Sequence, residues 1–163
     1  MESESPFSRK AIEEDLHCPI PKKSLAIVTC MDAWIHPRDA FDVELGDAHV
    51  IRNAGGSARE ALRSIIISQQ FLDTRVIMVV KHTECGMMGL TNEDAHAKIK
   101  NNLGVSADHI DFMGFEELEQ SVRDDVAWLK EQDLIHPESK EKIKGYIFHV
   151  NRDPALRKLV PVV

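Results

Sequence analysis

Four short apolar segments limit what this chain can fold into. Leu25 to Thr29, His49 to Arg52, Val76 to Val80 and Tyr146 to Val150 are rich in β-branched residues and bounded by turn or helix signals, which predicts strands. Helical patterns lie between them, and crossovers of that length join parallel neighbours. The clearest helix runs from Ala61 to Leu72, where Leu62, Ile65, Ile66 and Leu72 fall near i, i+3, i+4 spacing after Ser57 as a cap. A second follows Gly114, with Leu118, Val122, Val126 and Leu129 on one stripe and Glu116 and Glu117 at its positive N-terminal end. The expected fold is therefore α/β, a central mainly parallel sheet of about four strands flanked by helices. Residues 1–23 carry Phe7, Ala11, Ile12 and Leu16 at roughly helical spacing and are expected to form an N-terminal helical arm that packs on the body or on a partner subunit.

Composition narrows the function. At 163 residues the chain suits one domain spanning 1–163, and 43% hydrophobic with 29% charged residues is a globular balance. Lys and Arg number 20 against 27 Asp and Glu, a net charge of −7 with no basic stripe, which argues against nucleic acid. The longest apolar patches, Ile65-Ile66-Ile67 and Val76 to Val80, fall far short of the ~20 residues that span a bilayer. Met1 to Lys10 are charged and Ser-rich, unlike a secretory signal, so a cytoplasmic, reducing setting is expected. Three cysteines, Cys18, Cys30 and Cys85, are too few and odd in number for a disulfide framework, which leaves metal binding or catalysis for those with polar company.

Ligands of open α/β sheets bind beyond the carboxyl ends of the strands. There the chain reads Cys30-Met31-Asp32 after the first strand and His82-Thr83-Glu84-Cys85 after the third. Two thiolates and an imidazole form a set that zinc favours, and three protein ligands leave a fourth tetrahedral position open for water or substrate. Zinc in such an open site lowers the pKa of bound water to about 7 and supplies hydroxide for attack on a small electrophile. Any one of these residues alone is more often a buried thiol or a core histidine, but the three together are less readily explained so. Asp32 can either ligate the metal or accept a hydrogen bond from its water, and the sequence leaves both options open.

With Gly46-Asp47-Ala48-His49-Val50-Ile51-Arg52-Asn53-Ala54-Gly55-Gly56 between them, Cys30-Met31-Asp32-Ala33 and His82-Thr83-Glu84-Cys85-Gly86-Met87 resemble the motifs of the beta-class carbonic anhydrases, in that family's order. The resemblance is strong over Ser24 to Leu90, weaker over Tyr146 to Leu159, and closest to the small-sized branch that includes carbonyl sulfide hydrolases. It implies Zn2+ held by Cys30, His82 and Cys85, with Asp32 as the catalytic carboxylate beside the metal water. It also implies a homodimer or dimer of dimers, with a small-molecule substrate, CO2 or carbonyl sulfide.

The chain departs from that pattern at Trp34, where the family has an arginine whose fork holds the aspartate away from zinc. Three consequences are open: Asp32 stays on zinc and activity is weak or silent, Arg38 or Arg52 replaces the charge, or Trp34 makes the pocket more apolar and favours carbonyl sulfide. Gly55, Gly56 and Gly86 are candidate lining of the substrate pocket, the first two through backbone N–H groups between a strand and a helix. Two rivals remain: a silent zinc-binding homologue, and a redox switch between Cys30 and Cys85, which the absence of a Cys-x-x-Cys motif weakens. Cys18 reads as inert, and no single histidine stands out as a proton shuttle.

Overall fold

The computed structural model describes residues 18–163. Five strands, β1 (Leu25–Cys30), β2 (Ala48–Asn53), β3 (Val76–His82), β4 (Ile143–His149) and β5 (Lys158–Pro161), form one sheet in the order β2-β1-β3-β4-β5. The first four pair in parallel, as their connections require, and β5 returns antiparallel on β4. β5 exceeds the expected four strands. Its Lys158-Leu159-Val160-Pro161 is too short and mixed to read as a strand, and its proline is tolerated because it lies on an edge.

The helices are α1 (Pro37–Phe41), α2 (Ala58–Gln70), α3 (Asn92–Leu103) and α4 (Leu118–Glu131). Ser57 does cap α2, accepting the Glu60 N–H, and Asn53 Oδ1 accepts the Ser57 N–H at 2.7 Å, so the strand-to-helix turn is closed by side chains. The apolar stripe of α4 faces inward, and Val126 and Leu129 join Ala61 and Ile65 of α2 over Val28, Ile77, Val79 and Ile143. On the opposite face Leu25, Ile27 and Val80 pack with Phe41 of α1, Val43 and Phe148. Helix α3 carries no apolar stripe to predict it, since Ala95 is its one buried residue; Thr91 at its start and left-handed Gly104 at its end define it instead.

Of the arm expected over residues 1–23, the first 17 lie outside the described residues. Cys18 to Lys23 run as irregular chain, and the Pro19 carbonyl lies 2.9 Å from His49 Nε2.

Gly145 sets how closely α4 approaches β4. A Cβ there would collide with Val122 of α4 and press on Val126 at 3.1 Å and Val163 at 3.0 Å. Gly145→Ala is expected to lower unfolding free energy by about 1–3 kcal/mol through overpacking, measured by urea denaturation. Unchanged stability would mean that the helix seats less tightly.

Candidate metal centre

β1 and β3 are parallel neighbours with Thr29 paired to Val80, so the ends of the two strands lie side by side. Cys30 closes β1 and His82 closes β3. The chain then turns sharply, with Glu84 left-handed (φ 58°) and the Met88 N–H donating to the Cys85 carbonyl at 3.0 Å. The two sulfurs and a ring nitrogen of His82 all lie within 4.8 Å of one another, and all three residues are buried.

His82 is set up to donate a lone pair. Its Nδ1 lies 2.8 Å from the Thr83 carbonyl, a bond that only a protonated Nδ1 can make, so in the neutral ring Nε2 is bare. Among the described residues that Nε2 is buried without a hydrogen-bond partner, a costly state for a polar atom unless something binds it. Metal-bound histidines commonly have their other ring nitrogen fixed on a carbonyl in this way. An orphaned imidazole nitrogen beside two buried thiols fits a zinc ion, and these residues are positioned as a possible zinc site.

The two sulfurs divide one proton between them. A hydrogen bond from Cys85 holds the Cys30 thiol down to about 4, against the effect of burial, with His82 and the Gly55 N–H, 3.3 Å from the sulfur, adding to it. The Cys85 thiol is pushed up by donating that bond and by burial. Burial opposes a charged His82, but the neighbouring Cys30 sulfur outweighs it and raises the ring's pKa. The pair therefore favours the negative charge on Cys30 and the proton on Cys85.

Asp32 stands outside the ligand cluster. Its Oδ1 accepts the backbone N–H of Trp34 at 2.8 Å, so a main-chain donor engages the carboxylate. Arg38 pairs with Glu44 at 3.2 Å. Arg52 reaches the loop but binds its carbonyls, Nε to Cys30 at 3.0 Å and Nη2 to Asp32 at 2.7 Å, and so braces the backbone. The Trp34 side chain is 55% exposed.

The glycines differ in kind. Gly55 (φ 78°) donates to Cys30 Sγ, and a Cβ there would press on Met87 at 3.1 Å. Gly56 (φ 63°) lies so close to β1 that a Cβ would meet the backbone of Thr29 and Cys30 at 3.1 Å. A Cβ on Gly86 would meet nothing within 4 Å, and the left-handed turn that brings Cys85 round is made by Glu84. His49, bonded to Ser68 at 2.7 Å, lines a separate cavity of about 210 Å³ between β2 and α2 that contains no candidate ligand.

The profile of the carbonic anhydrase family matches residues 25–161. Among characterised proteins the chain is similar to beta-carbonic anhydrase 1 of Mycobacterium tuberculosis, 42% identical over 86 residues that cover 52% of this chain and 53% of that protein. It is also similar to a carbon disulfide hydrolase of Acidianus, 40% identical over 73 residues that cover 44% of this chain and 36% of that protein. The chain thus spans about half or less of the length of these relatives. Among solved structures, the carbonic anhydrase of Streptococcus mutans superposes with a TM-score of 0.82 at 38% identity, over 93% of this chain and 89% of that one.

The shared proton gives a test. In metal-free Cys18→Ser protein, iodoacetamide should modify Cys30 at a rate nearly flat between about pH 5 and about pH 8, where an ordinary thiol gains about tenfold per pH unit. Cys85 should resist, and zinc should protect both. A steep pH dependence at Cys30 would disprove the thiolate assignment.

Proposed function

The chain belongs to the beta-class carbonic anhydrase family, and from that premise we propose that it is a zinc enzyme that hydrates CO2 to bicarbonate. The observation that carries the reading is the buried trio of Cys30, His82 and Cys85 with an unpartnered His82 Nε2. When bound, zinc would supply a Lewis acid that makes water nucleophilic near neutral pH.

The chain's own residues would divide the remaining work. Cys30 and Cys85 bring two negative charges that offset the ion's two positive ones, which softens its pull on water and favours turnover at alkaline pH. Cys85 must give up its proton to become a ligand, so acid weakens binding as well. Asp32, with Oδ1 on the Trp34 N–H, presents its other oxygen as the hydrogen-bond acceptor that orients attacking water. The Gly55 N–H tunes the Cys30 sulfur, while Gly56 lets the backbone turn close against β1. Trp34 and Gly86 would complete the rim of the substrate pocket.

A second reading keeps the same centre and changes the substrate to carbonyl sulfide or another sulfur-containing analogue. Two observations favour it: a relative named carbon disulfide hydrolase, and an indole where the family has an arginine. A larger, less hydrated sulfur atom gains more from an apolar rim than oxygen does. We further place the protein in the cytoplasm as a homodimer or dimer of dimers. Its cysteines are free, and Met31 and Trp34, 65% and 55% exposed beside the site, are the kind of apolar surface that a partner subunit buries.

Purified protein should hold about one zinc per chain and lose it to a chelator together with CO2 hydration in stopped flow. Asp32→Asn should keep the zinc and lose about 10²–10⁴-fold in rate. Full activity in that variant would remove Asp32 from the mechanism, while stoichiometric zinc with no turnover of CO2, carbonyl sulfide or carbon disulfide would favour a silent zinc protein.

Trp34→Arg separates the two substrates. If the indole sets the pocket, the ratio of carbonyl sulfide to CO2 turnover should fall in the variant, measured on one zinc-loaded preparation. An unmoved ratio would sink the pocket role of Trp34.

A further inference from the structure

One buried ion pair stands next to His82 and connects, each through one intervening residue, to the turn that contacts Cys30 and to the loop that follows Cys85. Lys81, 5% exposed, directly precedes His82 in β3, and its Nζ lies 3.1 Å from Asp125 Oδ2 on α4. The same Asp125 oxygen accepts the N–H of Ala58, the first residue of α2, at 3.1 Å. Ala58 follows the Gly55-Gly56-Ser57 turn, whose Gly55 N–H donates to Cys30 Sγ. The ammonium also sits 4.7 Å from the centre of the Phe115 ring. Phe115 in turn holds the loop after Cys85, its N–H donating to the Met87 carbonyl at 3.2 Å and its carbonyl accepting the Gly89 N–H at 2.7 Å. The β3 end, the Gly55 turn through Ala58 and the Cys85 loop through Phe115 thus converge on one ion pair.

We propose that Lys81, fixed by Asp125, is a positioning residue for the Cys30–His82–Cys85 centre, setting the β3 end that carries His82, the Gly55 turn that contacts Cys30 and the loop that follows Cys85 relative to one another. The proposal rests on the zinc reading. Stability alone does not account for the pair, because a well-packed apolar pair in its place is often as stable or more so. What an apolar pair lacks is an acceptor for Ala58 and a cation for the face of Phe115. Groups that orient metal ligands without touching the metal typically govern its affinity by about 10–100-fold.

The test replaces both charges in the full chain, Lys81→Met with Asp125→Asn, which leaves no unpaired charge and keeps a carbonyl for the Ala58 N–H. Zinc affinity is read by chelator competition and ligand geometry by the visible absorption of the cobalt-substituted protein. The double variant is expected to fold, to bind zinc about 10–100-fold more weakly than the parent and to show a shifted cobalt band. Parental affinity and spectrum in the folded double variant would overturn the role of Lys81 while leaving the zinc centre standing. A parent that takes up no zinc would overturn both. If the double variant does not fold, Asp125→Asn alone decides: weaker zinc binding supports the proposal, and parental binding refutes it.

Discussion

The parallel pairing of β1 with β3 is the constraint on which the site depends. Leu25 to Thr29 pair residue for residue with Val76 to Val80, which puts Cys30 beside the end of β3, where Lys81 and His82 continue toward the turn. Since side chains alternate across a strand, slipping this register by one residue would send His82 to the face that Lys81 now occupies and would bury the ammonium among the groups that need a lone pair. The register is held by burial rather than by the ligands. Every residue of β1 is buried, and Ile27, Val28, Val79 and Val80 are fully enclosed between the α2–α4 layer and the layer that contains Phe41 and Phe148. The core assembles the centre, and a metal adds to a geometry already present.

That order of causes explains what could be read from the sequence. Strands β1 to β4 and helices α2 and α4 announce themselves because each buries a periodic apolar face, and β-branched runs and i, i+3, i+4 stripes are the direct record of that burial. The trio Cys30, His82 and Cys85 was legible because its members stand just past strand ends, where the sheet delivers side chains to a common edge. Elements that bury little escaped: α3 encloses Ala95 alone, and β5 is a four-residue edge closed by Pro161. The partner of Lys81 escaped for another reason. Asp125 lies on the helix stripe's flank, 44 positions away in sequence, where it reads as one more solvated acid until α4 is docked.

The sulfurs supply a second level of control. Two thiolates at this spacing repel, so without a metal the pair keeps one proton, and the side that loses it is chosen by the surrounding dipoles. Cys30 receives the Gly55 N–H and lies near His82, whereas Cys85 donates its proton inward. A divalent ion that binds must displace that last proton, which couples metal affinity to pH through Cys85 rather than through Cys30.

Trp34 stands where the beta-class pattern carries an arginine. An arginine fork at that position would bind the aspartate through a side chain, and a substitution would be expected to release the carboxylate onto the metal. In this chain Asp32 is instead held by the main-chain N–H of Trp34 itself, a donor that any residue except proline would supply there, and Arg52 pins the carbonyls on either side of Met31. These contacts use main-chain groups of the loop and Arg52, not the Trp34 side chain. The indole itself lies more than half exposed.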